Sequence, residues 1–188
     1  RPKLCAVAID ETPLPAEAPR DYVARMAHLK AAAAARLVGP TPAVVLAADT
    51  TVVAAGEFLH KPADRADAVR MLELLSGRSH LVLSGVHALR TDDAACAACV
   101  VETAVHFTVL DPLSIARYVD SAEPYDKAGG YGIQGLASVF VERIEGSYSN
   151  VVGLPLREAL GLLQQLGAVD ALLAAPPDAA ELRLESAS

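Results

Sequence analysis

Cysteine, positive charge and long apolar runs are all scarce in this sequence. Three cysteines among 188 residues are too few for a disulfide framework, so we expect a protein of the reducing cytoplasm. No run approaches the roughly 18 to 20 apolar residues of a membrane span, and no signal-peptide pattern is present, so we expect no membrane association. The net charge of -7 argues against a broad basic surface and therefore against nucleic acid as a partner.

Several catalytic and binding motifs are also missing. The sequence contains neither a Walker A motif nor a G-x-S-x-G elbow. Cys96 and Cys99 form a lone C-x-x-C without the further ligands that zinc needs, and we expect them to pack within a strand. Residues 130–135 match G-x-G-x-x-G, but a helical pattern precedes them and a strand pattern follows them. This order is the reverse of a dinucleotide site, which we therefore exclude.

The hydrophobic patterning predicts an α/β fold in which strands and helices intermix. A central hairpin breaks any steady βαβ rhythm, which favours a mixed sheet with helices on its faces over a doubly wound parallel sheet. Asp64 is expected to cap a helix, with Asp67 in the position of a capping-box acid. The predicted strands are residues 3–9, 43–48, 57–60, 80–89, 99–109 and 137–144, the predicted helices are 19–37, 64–76, 111–119 and one starting at 155, and 150–154 is predicted to be a loop.

A Gly-rich segment at residues 123–135 combines two acids, Lys127, two tyrosines, Gln134 and four glycines. Glycine buries no side chain and is costly to order, so such a segment contributes little to a core. It lets the backbone approach a ligand while Lys127 meets a negative charge and Gln134 reads polar edges. The alternative is a sharp connection that needs glycine only for its turn geometry.

Acids and lysines also stand at the ends of other predicted elements. Asp49 directly follows six apolar residues of a predicted buried strand, and Asp10, Glu11 and Lys61 follow other strands. Carboxylates suit Mg²⁺ or Mn²⁺, lysines neutralise phosphate charge, and one carboxylate could activate water. This set of residues predicts hydrolysis of a phosphoanhydride. The alternative is that Asp49 only caps a turn.

Short motifs occur at intervals along the sequence. They are residues 48–50 (Ala-Asp-Thr), 61–62 (Lys-Pro), 75–80 (Leu-Ser-Gly-Arg-Ser-His), 123–124 (Glu-Pro), 126–129 (Asp-Lys-Ala-Gly), 131–135 (Tyr-Gly-Ile-Gln-Gly), 146–148 (Gly-Ser-Tyr) and 150–155 (Asn-Val-Val-Gly-Leu-Pro). Taken together, in this order and spacing, these motifs resemble the Maf family of nucleoside triphosphate pyrophosphatases. The resemblance runs from about residue 9 to residue 167, and the versions at 48–50 and 131–135 resemble the branch that acts on dTTP and UTP. The sequence has Ser84 where the resemblance predicts threonine.

The resemblance implies an elongated fold, similar to inosine triphosphate pyrophosphatase, with a cleft between two lobes. It implies hydrolysis of dTTP and UTP, with modified pyrimidine nucleotides as further candidates, to the monophosphate and pyrophosphate with Mg²⁺ or Mn²⁺. By position, Asp49 matches the catalytic base and a metal ligand, and Glu11 matches a second metal ligand. Phosphate-contacting positions fall on Lys30, Lys61 and Lys127, and base-selecting positions on Thr50 and Gln134. A homodimer is a common assembly in the family.

The family opens with a strand and a Ser-x-Ser-Pro-Arg-Arg loop that this sequence does not contain. We expect residues 1–168 to form the Maf-like domain without that loop, and residues 169–188 to form a disordered tail. One alternative function is a non-catalytic, nucleotide-binding regulator of cell division and septum formation. Another is a purine-preferring inosine triphosphate pyrophosphatase.

Overall fold

The computed structural model describes residues 3–39 and 41–169. The segment predicted to be a tail lies outside this part of the chain, apart from its first residue. Helices and strands intermix along the described residues, with three short 3-10 turns, Glu123–Asp126, Ala128–Gly130 and Leu136–Phe140, between the third helix and the last strand. The elements are α1 (Pro19–Val38), β1 (Val44–Ala54), β2 (Glu57–Leu59), α2 (Arg65–Leu75), β3 (Ser79–Arg90), β4 (Cys96–Phe107), α3 (Pro112–Val119), β5 (Val141–Glu145), α4 (Tyr148–Val152) and α5 (Leu156–Gln165).

The five strands form one sheet in the order β2-β1-β3-β4-β5. This architecture confirms the predicted α/β class. Every pairing among the described strands is antiparallel, so the predicted mixed sheet is corrected in this respect. The chain reverses direction between all neighbouring strands. Hairpins connect β1 to β2 and β3 to β4, a return through α2 brings β3 beside β1, and a return through α3 and the 3-10 turns brings β5 beside β4. In the register of β1 against β3, Asp49 lies opposite Gly85 and Thr50 opposite Ser84.

Helices cover both faces of the sheet. On one face, Tyr22, Val23 and Met26 of α1 pack against Leu83 of β3. Gly85 allows this close contact, because the backbone of Val23 occupies the space that a Cβ at position 85 would need. On the other face, α2 and α3 pack over the centre of the sheet and α5 over one end. Leu72 is fully buried there, and burial of one such side chain contributes about 1.5 to 3 kcal/mol.

The helix boundaries follow from local sequence signals. Pro19 stands at the start of α1, where a missing N–H costs nothing, and an alanine-rich stretch continues that helix. The Asp64 carboxylate accepts a hydrogen bond from the Asp67 N–H at 2.9 Å, which confirms the predicted cap of α2. None of the helices within the described residues is long and apolar enough to cross a membrane.

Three local predictions are wrong. Residues 3–9 form no strand, because they pair with no described neighbour and are mostly exposed. The strand predicted at 137–144 begins only at Val141, since the preceding residues form a 3-10 turn whose Leu136 N–H donates to the Glu123 carboxylate at 2.8 Å. Part of the loop predicted at 150–154 belongs to α4, whose first turn is capped when Ser147 accepts from the Asn150 N–H at 3.2 Å.

Candidate active site

A cavity of about 390 Å³ lies where β1 meets the Gly-rich segment. It joins side chains from the segment before α1, from α1 and β1, from the residues after β2, and from the Gly-rich segment. Asp49 and Lys127, which are far apart in the sequence, both line it. The structure brings together all of the site residues that the sequence predicted, namely Glu11, Lys30, Asp49, Thr50, Lys61, Lys127 and Gln134.

The cavity passes around one edge of the sheet. Asp49 and Thr50 are consecutive residues of β1, so their side chains lie on opposite faces. Asp49 contacts Lys30 of α1 on one face, whereas Thr50 contacts Gly153 after α4 on the other. Among the described residues, β1 pairs with β2 only from Val52 onward, so no strand lies beside Asp49 on that side. A bound molecule can therefore contact both faces at once.

On the α1 face, Lys30 joins two carboxylates. Its Nζ donates to Oδ1 of Asp49 at 2.5 Å and lies 2.8 Å from Oε1 of Glu11. The Asp49 side chain is only 10% exposed, while that of Glu11 is 58% exposed. The strand and the helix thus hold Asp49 and Lys30 in place, whereas Glu11 stands at the solvent-facing rim.

Burial and hydrogen bonding act in opposite directions on the pKa values of Asp49 and Lys30. It raises the pKa of the Asp49 carboxyl above its ordinary value, although the hydrogen bond from Lys30 acts in the opposite direction. For Lys30, burial would lower the pKa, but the hydrogen bonds to Asp49 and Glu11 outweigh it and the pKa rises. Asp49 is therefore a stronger base than an exposed carboxylate, and it lies beside a cation that stays charged.

On the opposite face, Thr50 belongs to a small hydroxyl network. Its Oγ1 lies 2.6 Å from Oγ of Ser84 and donates to the Gly153 carbonyl at 3.1 Å. Ser84 is fully buried, and its Oγ lies 3.4 Å from the Asn150 carbonyl. The Asn150 side chain in turn donates to the Val82 carbonyl and to the Thr103 hydroxyl, both at 3.0 Å. The wall around Thr50 is thus fixed by hydrogen bonds from β3, β4 and α4.

The Gly-rich segment folds around the carboxylate of Glu123. This carboxylate accepts from the Tyr118 hydroxyl at 3.0 Å and from the Leu136 N–H, and Tyr118 in turn accepts from the Gly132 N–H at 3.3 Å. A Cβ on Gly135 would overlap the Glu123 carboxylate. Glycine therefore serves close packing at Gly135, which the sequence did not predict, and turn geometry at Gly129, where φ is 74°, as the second interpretation of this segment expects. Close approach of this backbone to a ligand stays a prediction.

The charges of the cavity suit a phosphate chain only in part. Three lysines, at positions 30, 61 and 127, face three carboxylates, those of Glu11, Asp49 and Asp126. Lys127 pairs with Asp126 at 2.6 Å. A polyanionic triphosphate would therefore bring uncompensated negative charge into the cavity, and a bound cation would offset it.

The carboxylates of the cavity fit a divalent cation whose coordination shell is completed by a substrate. Within the described residues, no cluster of three or more His, Cys, Asp or Glu side chains could hold a metal by itself. Glu11 and Asp49 nevertheless converge on one point, the Nζ of Lys30, which marks a position where two carboxylates face a single cation. Mg²⁺ commonly takes one or two carboxylates and completes its shell with substrate phosphates and water. These residues fit that arrangement.

Comparison with known proteins places the chain in a family. Residues 1–166 match the family described as Maf-like protein. The chain belongs to the Maf family. The resemblance seen in the sequence is thereby confirmed.

Curated relatives of this Maf-family chain share about half of its residues. A protein of Shewanella sp. (strain MR-7) is 52% identical over 160 residues, which cover 85% of this chain and 81% of the relative. A protein of Sphingopyxis alaskensis is 52% identical over 165 residues, covering 88% and 85%. A protein of Geobacter sulfurreducens is 50% identical over 169 residues, covering 88% and 86%. All three are named dTTP/UTP pyrophosphatase.

Three residues around the cavity of this Maf-family chain carried no role in the sequence predictions. Tyr118 lies in the helix predicted at 111–119, Glu123 belongs to one of the matching motifs, and Ser84 is a departure from the family pattern. The presence of Glu123 next to a proline, just before the Gly-rich residues, was the one available signal. The hydrogen bonds of Ser84 depend on strand register, which the sequence does not specify.

Proposed function

We propose that this chain hydrolyses dTTP and UTP to the monophosphate and pyrophosphate. The main support is a single cavity that is lined by the carboxylate of Asp49, by three lysines and by the polar side chains of Thr50 and Gln134. Relatives of about 50% identity carry the name dTTP/UTP pyrophosphatase. The chain covers more than four fifths of the length of these relatives, and the family match over residues 1–166 includes every residue that lines the cavity.

In the proposed reaction, Asp49 acts as the general base. It accepts a proton from a water molecule, and the water oxygen forms a bond to the α-phosphorus. The bond between the α-phosphorus and the oxygen that bridges it to the β-phosphate breaks, and pyrophosphate leaves with that oxygen. The raised pKa of Asp49 makes its carboxylate a better proton acceptor than an exposed one. The neighbouring Lys30 keeps that carboxylate ionised before the substrate binds.

The lysines orient and neutralise the phosphate chain. Lys30, Lys61 and Lys127 approach the cavity from three different segments, so they surround a bound anion rather than contact one end of it. Asp49 and Glu11 would hold Mg²⁺ or Mn²⁺, which would offset the remaining phosphate charge when bound. Thr50 and Gln134 contact the base, and the amide of Gln134 offers both donors and an acceptor to a pyrimidine edge.

The same proposal places the protein in the cytoplasm, as a homodimer, in the cleft-containing two-lobed form that the family resemblance implies. Two alternatives differ from it in measurable ways. A regulator of division would bind nucleotides without turnover. An inosine triphosphate pyrophosphatase would prefer purines.

A substrate panel tests the proposal. Pyrophosphate release is measured with dTTP, UTP, CTP, inosine triphosphate and 7-methyl-GTP, each with Mg²⁺, with Mn²⁺ and with a chelator. We expect turnover of dTTP and UTP that depends on the metal. Preference for a purine nucleotide would contradict the proposed substrates, and tight binding of UTP without pyrophosphate release would support the regulator instead.

A further inference from the structure

We propose that Ser84 is a positioning residue for base selection. By holding the hydroxyl of Thr50 as a hydrogen-bond acceptor, it would make the cavity select pyrimidines that carry a hydrogen on N3, which are uracil and thymine, over cytosine. This inference rests on the proposed function, because it names the chemical group by which the same cavity would recognise its substrates. Ser84 does not line the cavity and acts through Thr50.

The hydrogens of the two hydroxyl groups have acceptors within the protein, the partly buried Gly153 carbonyl and the carbonyl of the buried Asn150. In one arrangement, Ser84 donates to Thr50 across 2.6 Å and Thr50 donates to the Gly153 carbonyl across 3.1 Å. In the other, Thr50 donates to Ser84, which donates to the Asn150 carbonyl across 3.4 Å. Both arrangements use both hydrogens within the protein. Thr50 therefore presents only a lone pair to a ligand in either case.

Donation from Thr50 to a ligand would disrupt this network. In the arrangement with the shorter contacts, it would remove the hydroxyl donor from the Gly153 carbonyl. Gly153 is only partly buried, so the loss of this donor costs part of the desolvation penalty of a fully buried acceptor. Thr50 thus favours a ligand atom that carries a hydrogen over one that carries a lone pair.

The pyrimidines differ at the matching atom. In uracil and thymine the donor on the pairing edge is the central N3–H, between two carbonyl oxygens, whereas in cytosine N3 is an acceptor and the donor is the amino group at C4. For a base held in the same position, a lone pair on Thr50 pairs with N3–H and opposes N3 of cytosine. The proposal therefore matches Thr50 to the N3–H of uracil and thymine.

The contact with Ser84 also fixes whether the hydroxyl or the methyl group of Thr50 faces a ligand. Oγ1 and the methyl group of threonine are nearly equal in size, so a change of χ1 rotamer can exchange them. The contacts with Ser84 and Gly153 both hold Oγ1. Loss of the Ser84 hydroxyl removes the shorter of these contacts and allows the methyl group to face the base.

The test compares UTP with CTP in wild-type protein and in three variants. Ser84→Ala removes the hydroxyl, Ser84→Thr retains it, and Thr51→Val is the matched control. Thr51 is the neighbour of Thr50 in β1, and its buried hydroxyl has no hydrogen-bond partner among the described residues. The ratio of kcat/KM for UTP to that for CTP is measured for each, with the thermal unfolding temperature as a check on folding.

We expect Ser84→Ala to lower this ratio by about fivefold to tenfold, the range of one net hydrogen bond, mainly through a higher KM for UTP. Ser84→Thr and Thr51→Val should stay within about twofold of the wild-type ratio, which is smaller than the effect of one hydrogen bond. Should Ser84→Ala fail to fold, Ser84→Cys, which has a similar volume and a weak donor, is expected to lower the ratio. An unchanged ratio in Ser84→Ala, or an equal fall in Thr51→Val, would overturn the inference.

The same comparison does not depend on turnover. The ratio of dissociation constants for UTP and CTP, measured by calorimetry on wild-type protein and Ser84→Ala, is expected to fall by the same factor. If the protein binds UTP without hydrolysing it, and Ser84→Ala lowers its selectivity for UTP over CTP, the proposed function is contradicted and the role of Ser84 is supported. If the protein hydrolyses UTP and Ser84→Ala keeps the wild-type selectivity for UTP over CTP, the proposed function is supported and the role of Ser84 is contradicted.

Discussion

The ammonium group of Lys30 lies 2.5 Å from the carboxylate of Asp49, in a site where that carboxylate is almost completely buried. An isolated carboxylate in such a place would resist ionisation, because burial penalises the charged form. The adjacent cation offsets this penalty in part, and the net result is a carboxyl group with a raised pKa. The strength of Asp49 as a base therefore depends on the neighbouring Lys30.

Replacement of Asp49 by asparagine removes the proposed base while it nearly keeps the shape of the side chain. We expect kcat for UTP to fall by about 10² to 10⁴, the usual contribution of a general base. The affinity for UTP, measured by calorimetry, should change much less. Asp120→Asn is the matched control, because Asp120 is 61% exposed and pairs with Arg65 away from the cavity. Substantial pyrophosphate release by Asp49→Asn would exclude Asp49 as the base.

Replacement of Lys30 by glutamine should change the pH dependence. The carboxylate of Asp49 loses its nearest cation, so its pKa rises further and a higher pH is needed to ionise it. The acid limb of the pH profile of kcat/KM is therefore expected to move to higher pH. Lys127→Gln provides the comparison, since Lys127 pairs with Asp126 rather than Asp49. If the acid limb of Lys30→Gln stays at the wild-type pH, the acid limb does not report the ionisation of Asp49.

Elements with strong local signals were predictable from the sequence. Proline at the start of α1 and the Asp64 cap of α2 define helix ends through contacts between near neighbours. The β3–β4 hairpin follows from two long β-rich runs around one turn. By contrast, the 3-10 turn at Leu136–Phe140 depends on a carboxylate from residue 123, and residues 3–9 lack a pairing partner in the described part of the chain. Neither this 3-10 turn nor the lack of a strand at residues 3–9 follows from the sequence of the segment itself.

The cavity was predictable in its members but not in its geometry. A local pattern identified Asp49 and the family resemblance identified Thr50, yet alternation along a strand places these two side chains on opposite faces. They share a cavity because β1 has an unpaired edge beside them within the described residues. Sheet order, not local sequence, decides this. The same applies to Ser84, whose contact with Thr50 follows from the register of β1 and β3.

Two glycine-to-alanine substitutions should have opposite effects on stability. Gly135→Ala places a methyl group against the Glu123 carboxylate, which holds Leu136 and Tyr118, so we expect lower stability and a higher KM for UTP. Gly161→Ala lies inside α5 and meets no atom within 4 Å, so it should raise the free energy of unfolding by about 0.5 to 1 kcal/mol. Urea denaturation and steady-state kinetics measure both effects. Unchanged kinetics in Gly135→Ala would show that the Glu123 contacts do not shape the cavity.

His80 should make the protein less stable in mild acid. It is almost completely buried, and its Nε2 lies 2.8 Å from the Tyr131 hydroxyl. Burial, with a smaller effect from His106, lowers the pKa of His80 from 6.5 to about 4. Because the folded pKa lies below the unfolded value, the unfolded chain binds more protons between these limits. The contribution of His80 is therefore complete above pH 6.5 and is lost as the pH falls towards 4.

The expected loss is about 3 kcal/mol, since each pKa unit corresponds to about 1.4 kcal/mol. The free energy of unfolding, measured by urea denaturation at several pH values between 4 and 7, should fall less steeply in His80→Gln than in the wild-type protein. Tyr131→Phe is the control: it removes the hydrogen bond but leaves the imidazole buried, and burial is the main cause of the shift. It should therefore keep the wild-type slope even where its overall stability is lower. Equal slopes in His80→Gln and the wild-type protein would mean that His80 is not the group whose protonation destabilises the fold.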